Sequence, residues 1–372
     1  MRIVIIGAGI AGLSAAVGLA GQGIEVDVVE VNPAGDGTGA GITLLANALR
    51  ALDELGVADP CLEIGHGFDT IDIADSAGNV LMSERPPRTF HPDRPAILGI
   101  TRAALYAVLA KRAVESGATL RYEQTVTAIE QDRAGVDVSL SSGEHVRADL
   151  VVAADGTYST TRASVFGTQH APAYVGQGAW RLSFARSDDL DAMVLLRTAT
   201  GRAAGVIPTG PDSCYVFVLE TTAARARIPD EQLPVLMAER LAEFSAPILQ
   251  AGAAAIGEHN VSYRPFDILL APAPWHHGRV VLIGDAAHTL TPQMTSGGGL
   301  AIEDAAVLSR LVGSAEPIAD ILDAFSDQRY PRVKRVYDAS LQISRWEQLA
   351  SYDRSLMQQL MGETHAFLAG AF

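Results

Sequence analysis

The chain has 372 residues, 48% of them hydrophobic and 19% charged. That length allows a large core and two structural domains, and that balance excludes a disordered chain. The formal net charge of −15 argues against a nucleic-acid or anionic-membrane partner, because both need concentrated positive charge. Cys61 and Cys214 are the only cysteines. They make neither a disulfide framework nor a zinc site, so buried or half-buried thiols and no bound metal are expected.

In chain order, residues 2–6 (RIVII) suit a parallel strand buried on both faces. A glycine-rich turn at 7–12, a small-residue helix over 14–21 and a strand over 24–30 complete a strand–helix–strand unit. Glycines interrupt this apolar start, so it reads as neither a secretion signal nor a membrane span, and the protein is expected to be cytoplasmic. Residues 31–41 read as a loop and 47–55 as a helix. Residues 68–82 alternate like strands about a turn at 77–79, and 84–95 is a proline-rich connector. A helix is expected over 101–117, capped by Thr101 and ended by Gly117. Strands follow within 120–140, around a turn at 133–135, and over 150–154. From about 174 to 263 the pattern changes to short alternating strands (179–186, 193–198, 203–208, 214–221) and one amphipathic helix near 231–244. A strand at 280–283 returns to the first pattern, followed by helices over 303–312 and most of 319–350.

Three segments carry chemistry. The first, GAGIAG at 7–12, follows a strand and opens a helix, the context that gives this pattern meaning. Gly7 permits the tight turn, Gly9 lets backbone approach a pyrophosphate, and Gly12 lets helix and strand pack closely. Ile10 and Ala11 complete the turn into a helix start that offers free N–H donors. Glu30 closes the second strand and can accept from ribose hydroxyls, which suits FAD or NAD better than NADP. This segment alone does not choose between FAD and NAD. The second, DLVVAADGTYSTTR at 149–162, ends a buried strand in Asp155-Gly156. The third, GDAAHTLTPQMTSGGGLAIED at 284–304, passes from an apolar strand through a glycine-rich entry into a helix at about Leu300.

Together the three segments resemble the single-component FAD-dependent aromatic hydroxylases of the para-hydroxybenzoate hydroxylase type. The resemblance covers most of residues 1–345. It implies an α/β fold: a Rossmann-like FAD-binding domain of glutathione-reductase type, an inserted β-sheet/α substrate domain, and C-terminal helices. The expected division is 1–70, 98–173 and 277–330 for FAD, 71–97 and 174–276 for substrate, and 331–372 as a C-terminal helical segment. In such proteins the counterpart of Asp155 supports the pyrophosphate and the nicotinamide route, and that of Asp285 bonds the ribityl chain. Arg102 matches an arginine at the pyrophosphate or ribityl, with a solvated helix arginine as the alternative. Val126 matches a backbone contact to adenine. Ala40, Gly41 and Ile42 match the loop beside the ribityl and the ring. Pro292 is expected beside the ring, with Gly297 and Gly298 presenting backbone donors to it. Two departures stand out: Thr295-Ser296 replaces the usual Gly-Gln, and Asn32 stands where an arginine is common.

The resemblance further implies that NADH or NADPH reduces the flavin, that O2 gives a flavin C4a-hydroperoxide, and that an oxygen atom passes to an aromatic or heteroaromatic substrate. Trp180-Arg181 resembles a common pair. Arg181 could hold an anionic substrate, support a flavin face, or make a surface ion pair. Tyr215 could contact a ring hydroxyl or be a core tyrosine. Asn47 and Leu45 are candidates to line the pocket, with Gln293 and Met294 near substrate. His288 is expected to be structural, and His276-His277 carries no assigned role. The alternative reading is a flavin-dependent oxidase or dehydrogenase-like tailoring enzyme acting on a polycyclic or alkene substrate. A monomer or homodimer is expected.

Overall fold

A computed structural model describes residues 1–35, 40–225, 227–257, 260–314, 316–349 and 351–372. The positions 36–39 of the expected 31–41 loop, and Ala350 at the end of the last expected helix, lie outside these.

The strand Arg2–Ile6 lies near the middle of a six-stranded sheet, paired in parallel with Leu150–Ala153 and Glu25–Val29. Val280–Leu282 and Thr119–Arg121 extend it on either side, also in parallel. Its central strands are apolar runs because both faces are covered. Ile10–Ala20 and Gly297–Val312, the motif helix, pack on each other across one face, beside Arg102–Glu115. Small side chains permit this closeness: a Cβ on Gly18 would come 2.3 Å from Ser309 Oγ. The other face carries the three-stranded sheet of Val126–Gln131, Val136–Leu140 and His145–Ala148.

The second sheet has eight strands, ordered His288–Thr289, Val261–Leu270, Ala173–Ala185, Ser213–Thr221, Ala203–Pro208, Met193–Arg197, Ile71–Asp75 and Val80–Glu84. One face is buried under two helices, Leu233–Leu241 and Pro247–Ala254. The single helix expected near 231–244 is therefore a shorter helix, and the second one begins at a proline that the sequence reading left unassigned. A small sheet of Gly41–Leu45, Ile97–Thr101 and His66–Phe68 sits between the two large sheets. Gly41 and Ile42, expected in a loop, belong to its first strand.

The motif helix starts at Gly297, three residues before Leu300 and six before the 303–312 stretch legible from periodicity. Glycine is a weak helix former, so the first turn is silent in a propensity reading and is held by its surroundings. Those surroundings include a buried ionic network. Glu303, Asp304 and Arg329 are each 0% exposed. Arg329, on the long helix Ile318–Glu347, donates to Glu303 at 2.7 Å and to Asp304 at 2.8 Å. Arg332 donates to both oxygens of Glu303. Asn47 Nδ2 donates to Glu303 Oε1 at 2.7 Å, and Gly284 N to Asp304 Oδ2 at 2.9 Å. His288 is fully buried with its Nε2 2.6 Å from Asp304 Oδ2, in keeping with the structural role expected for it. A further helix, Arg354–Leu368, closes the chain against the long one. Among the described residues no helix is long and apolar enough to cross a membrane. Both cysteines are buried, and desolvation pushes each thiol up to about 12.

Burial alone would raise the carboxyls of Glu303 and Asp304. Arg329 and Arg332 around the first, and His288 and Arg329 around the second, outweigh it and hold both below the ordinary carboxylate range. Depressed carboxyls stabilise the fold above their unfolded pKa and lose that contribution as pH falls through the folded value. Arg329→Met removes the one cation that both buried carboxylates share, leaving Glu303 with Arg332 and Asp304 with His288. It is expected to cost about 3–5 kcal/mol in urea unfolding at neutral pH, and its acid unfolding is expected at a higher pH than the parent's. An unchanged midpoint in both measurements would show that the network is not what secures the motif helix.

Candidate active site

The three sequence segments converge at the carboxyl ends of the parallel strands. A Cβ on Gly7 would lie 2.5 Å from Ala154 O and 3.1 Å from Asp155 Cα, so the first segment touches the second. A Cβ on Gly284 would lie 2.6 Å from that of Ala11, so the third touches the first. Thr157 Oγ1 donates to Asp285 Oδ2 at 3.2 Å, and Arg162 Nη1 to Ala286 O at 2.8 Å, so the second and third are joined as well. Gly7, at φ +100°, and Gly284, at φ +57°, take left-handed conformations that favour glycine.

Glu30 stands at the rim with both carboxylate oxygens engaged. Oε2 accepts from Ala8 N at 2.7 Å, and Oε1 from Asn32 N and Nδ2 at 2.9 and 2.8 Å. Asn32, in the place where an arginine is common, is thus a partner of the acid. Asp155 accepts from Ser159 Oγ at 2.5 Å and from Thr161 N at 3.0 Å, which fixes the turn into the Thr160–Phe166 helix. Val126 begins a strand of the three-stranded sheet beyond the Glu30 edge. Ala40 accepts weakly from Arg102 N, at 3.4 Å, and the exposed Arg102 side chain lies near Arg181 and Tyr215.

Several of these residues fit a dinucleotide on grounds internal to the fold. Two long helices start here without a side-chain cap: Ile10–Ala20 at Gly9 and Gly297–Val312 at Ser296, whose hydroxyl turns back to Met294 O at 2.6 Å. Their first N–H groups are free to receive an anion or a polar ring edge. A Cβ added at Gly9, Gly156 or Gly297 meets nothing within 4 Å. At Gly9, with φ −72°, no backbone strain calls for glycine either, so the space beside it is kept clear for something outside the chain. Gly12 differs, since its Cβ would be 1.9 Å from Gly7 O. Gly298 faces Ile42, its Cβ position 2.5 Å from Cδ1. Thr295 occupies a left-handed conformation, φ +52°, where a glycine is usual in the resembling proteins. A β-branched residue there carries about 1–3 kcal/mol of backbone strain. The departure thus preserves the turn at a cost.

The second sheet turns its other face toward this region. Residues alternate across a strand, so Trp180 and Arg181 part company. Trp180 is buried under the covering helices, stacked with Tyr263 and Arg240 and donating to Glu220 at 2.6 Å. Arg181 lies on the open face in register with Phe217. Two contacts frame that face. At one end Tyr215 packs on Gly41, whose Cβ position would be 2.4 Å from the ring. At the other, Gln293 Nε2 donates to Gln177 Oε1 at 3.1 Å. Between them Leu195, Phe217, Leu219 and Arg181 remain partly open. Pro292, exposed, belongs to the same short turn as Gln293. Asn47 is buried beside the motif helix, its Nδ2 held by Glu303.

Burial draws the Arg181 guanidinium down from its ordinary value, with Tyr215 opposing and Arg102 and Arg264 reinforcing. Burial raises the Tyr215 phenol, against the pull of Arg181, Thr43 and Arg102. Glu347, at the end of the long helix, accepts from Gln293 Nε2 at 3.0 Å. The sequence reading missed it because nothing in helical periodicity marks one glutamate as turned inward.

The sequence matches the family described as FAD binding domain over residues 1–340. It is 31% identical over 360 residues to the 2-heptyl-3-hydroxy-4(1H)-quinolone synthase of Pseudomonas aeruginosa, spanning 93% of this chain and 90% of that protein. It is 28% identical over 352 residues to an FAD-dependent urate hydroxylase of Klebsiella pneumoniae, spanning 90% and 87%. The crystal structure of Klebsiella pneumoniae HpxO complexed with FAD and uric acid has the same fold, with a TM-score of 0.85 at 26% identity over 99% of this chain and 95% of that one.

Gly9 and Gly12 separate cofactor room from fold. Gly9→Ala is expected to unfold within about 0.5 kcal/mol of the parent yet bind FAD at least about tenfold more weakly in a fluorescence titration. Gly12→Ala is expected to lose about 1–3 kcal/mol or more of stability through overpacking. Parent-like FAD affinity in Gly9→Ala would displace the pyrophosphate from this turn.

Proposed function

The chain belongs to the FAD-binding-domain family and is an FAD-dependent monooxygenase; on that premise we propose that it hydroxylates a small aromatic or heteroaromatic compound with NADH or NADPH and O2 as co-substrates. When bound, FAD supplies two-electron reduction by the nicotinamide and transfer of one oxygen atom from O2. Gly7, Gly9, Ile10, Ala11 and Gly12 would hold its pyrophosphate, Glu30 a ribose, and Val126 the adenine. Asp155, Arg102 and Asp285 would hold the linking chain, with Ala40, Gly41, Pro292, Gly297 and Gly298 around the ring. The domain division set out above goes with this reading: one part for the cofactor, one for the substrate.

The observation that carries the proposal is the framed, partly open sheet face bearing Arg181 and Tyr215 opposite the Pro292 turn. It is apolar in the middle, as an aromatic ring requires, and cationic at one side. Arg181 is desolvated, so an anionic substituent or an enolate is attracted there more strongly than in water. Tyr215, its phenol held protonated by burial, donates a hydrogen bond to that substituent; the raised value speaks against its use as a base. Pro292 walls the ring, and Asn47 contributes through Oδ1, because Nδ2 is committed to Glu303. Of the two relatives named above, one by its name makes a quinolone and the other hydroxylates urate, both heteroaromatic.

Incubation of the holoenzyme with aromatic acids, phenols and heterocycles under isotopically labelled O2 tests this. The expected result is substrate-stimulated NAD(P)H oxidation with one labelled oxygen in the product. Stimulated oxidation without label in the product would replace hydroxylation by the oxidase or dehydrogenase reading. Arg181→Met is expected to raise the substrate KM by about tenfold to a hundredfold, the loss of one charged hydrogen bond, with FAD content unchanged.

A further inference from the structure

The pocket has a second polar end. Along Ala173–Ala185 the side chains of Gln177, Ala179 and Arg181 share one face, which places Gln177 about 13 Å from Arg181 at about 3.3 Å per residue. Gln293 Nε2 is shared between Gln177 Oε1, at 3.1 Å, and Glu347 Oε2, at 3.0 Å. Ser344 Oγ donates to the same Gln177 oxygen at 2.5 Å. The amide nitrogen is thus fully used, while the amide oxygen of Gln293 is buried with no partner. A buried acceptor left unmatched is costly and calls for an explanation. Glu347 adds a carboxylate that Gln293 engages through one oxygen. Burial holds its carboxyl above the ordinary range, against the pull of Gln293, Arg197 and Gln177. Two acceptors therefore meet away from Arg181: the Glu347 carboxylate, engaged by the Gln293 and Gln177 amides, and Gln293 Oε1, which the chain leaves without a donor.

We propose that Gln293 Oε1 and the Glu347 carboxylate form an acceptor site for a ring N–H or O–H of the substrate, opposite the Arg181 end. Resting on the pocket reading above, this narrows the substrate class. The compound carries an acidic or enolic group at one edge and a hydrogen-bond donor at the other, about one fused bicycle apart. A site built to accept such a donor rejects an analogue that lacks it, because its own acceptors are then left bare.

The test is a flavin-absorbance titration of the holoenzyme with a quinolone carboxylate and with the chromone carboxylate of the same shape, in which a ring oxygen replaces the N–H. The parent protein is expected to bind the quinolone at least about tenfold more tightly. Glu347→Ala is expected to shrink that preference to under about threefold, and Glu347→Gln, which keeps an acceptor, to retain part of it. Arg181→Met is expected to weaken both ligands alike. Equal binding of the two by the parent, or full preference kept in Glu347→Ala, would overturn the acceptor site. Failure of both ligands to perturb a normally bound flavin would instead remove the pocket reading itself, and this proposal with it.

Discussion

The structure depends on one buried exchange of charge. Glu303 and Asp304 sit side by side in the second turn of the motif helix, inside the core, and neither could be there ionised without Arg329 and Arg332. The pair does more than neutralise. Asp304 also receives Gly284 N and faces His288, so it fixes the turn that begins the third segment. Glu303 receives Asn47, so it fixes the helix Ala46–Glu54, which follows the first strand of the small central sheet. One helix thereby reads the positions of three other elements, and its glycine-rich first turn can be left weak in intrinsic propensity. The arrangement suits a helix start that must keep its N–H groups free, since the stabilising contacts are all made downstream.

The same logic explains the glycines. At Gly12 and Gly18 the absence of a side chain lets elements approach, and any Cβ would meet protein. At Gly9 and Gly297 it leaves room that no protein atom fills, whereas Gly156 takes φ +79°, a conformation that itself favours glycine. The first kind is about packing and the second about a ligand, and only the structure separates them.

Much of this was legible in the sequence. The strand–turn–helix context of 7–12, the acid at Glu30 and the apolar strands before Asp155 and Asp285 are local patterns, and they appear where they were expected. The doubled helix at 233–254 was not legible, because the break at Ala242–Ala246 is short and the residues on both sides are helix-tolerant. The Gly41–Leu45 strand was hidden by its glycine-rich approach. Arg181 could be named but not aimed; strand alternation alone leaves open which face meets the covering helices, and Trp180 decides it by filling that core. Gln177 and Glu347 were invisible, since their meeting joins positions 170 residues apart in sequence. Long-range pairings of this kind are set by topology and leave no periodic trace.

The long helix Ile318–Glu347 has two ends with different duties. Arg329 and Arg332 flank Pro331 and hold the motif helix, and Glu347, eighteen residues after Arg329 and so about 27 Å further along at 1.5 Å per residue, reaches the Gln293 turn. Grafting this C-terminal stretch between relatives would therefore carry the Gln293 contact and the scaffold anchoring together as a single heritable block. Selection acting on either duty would be felt by the other.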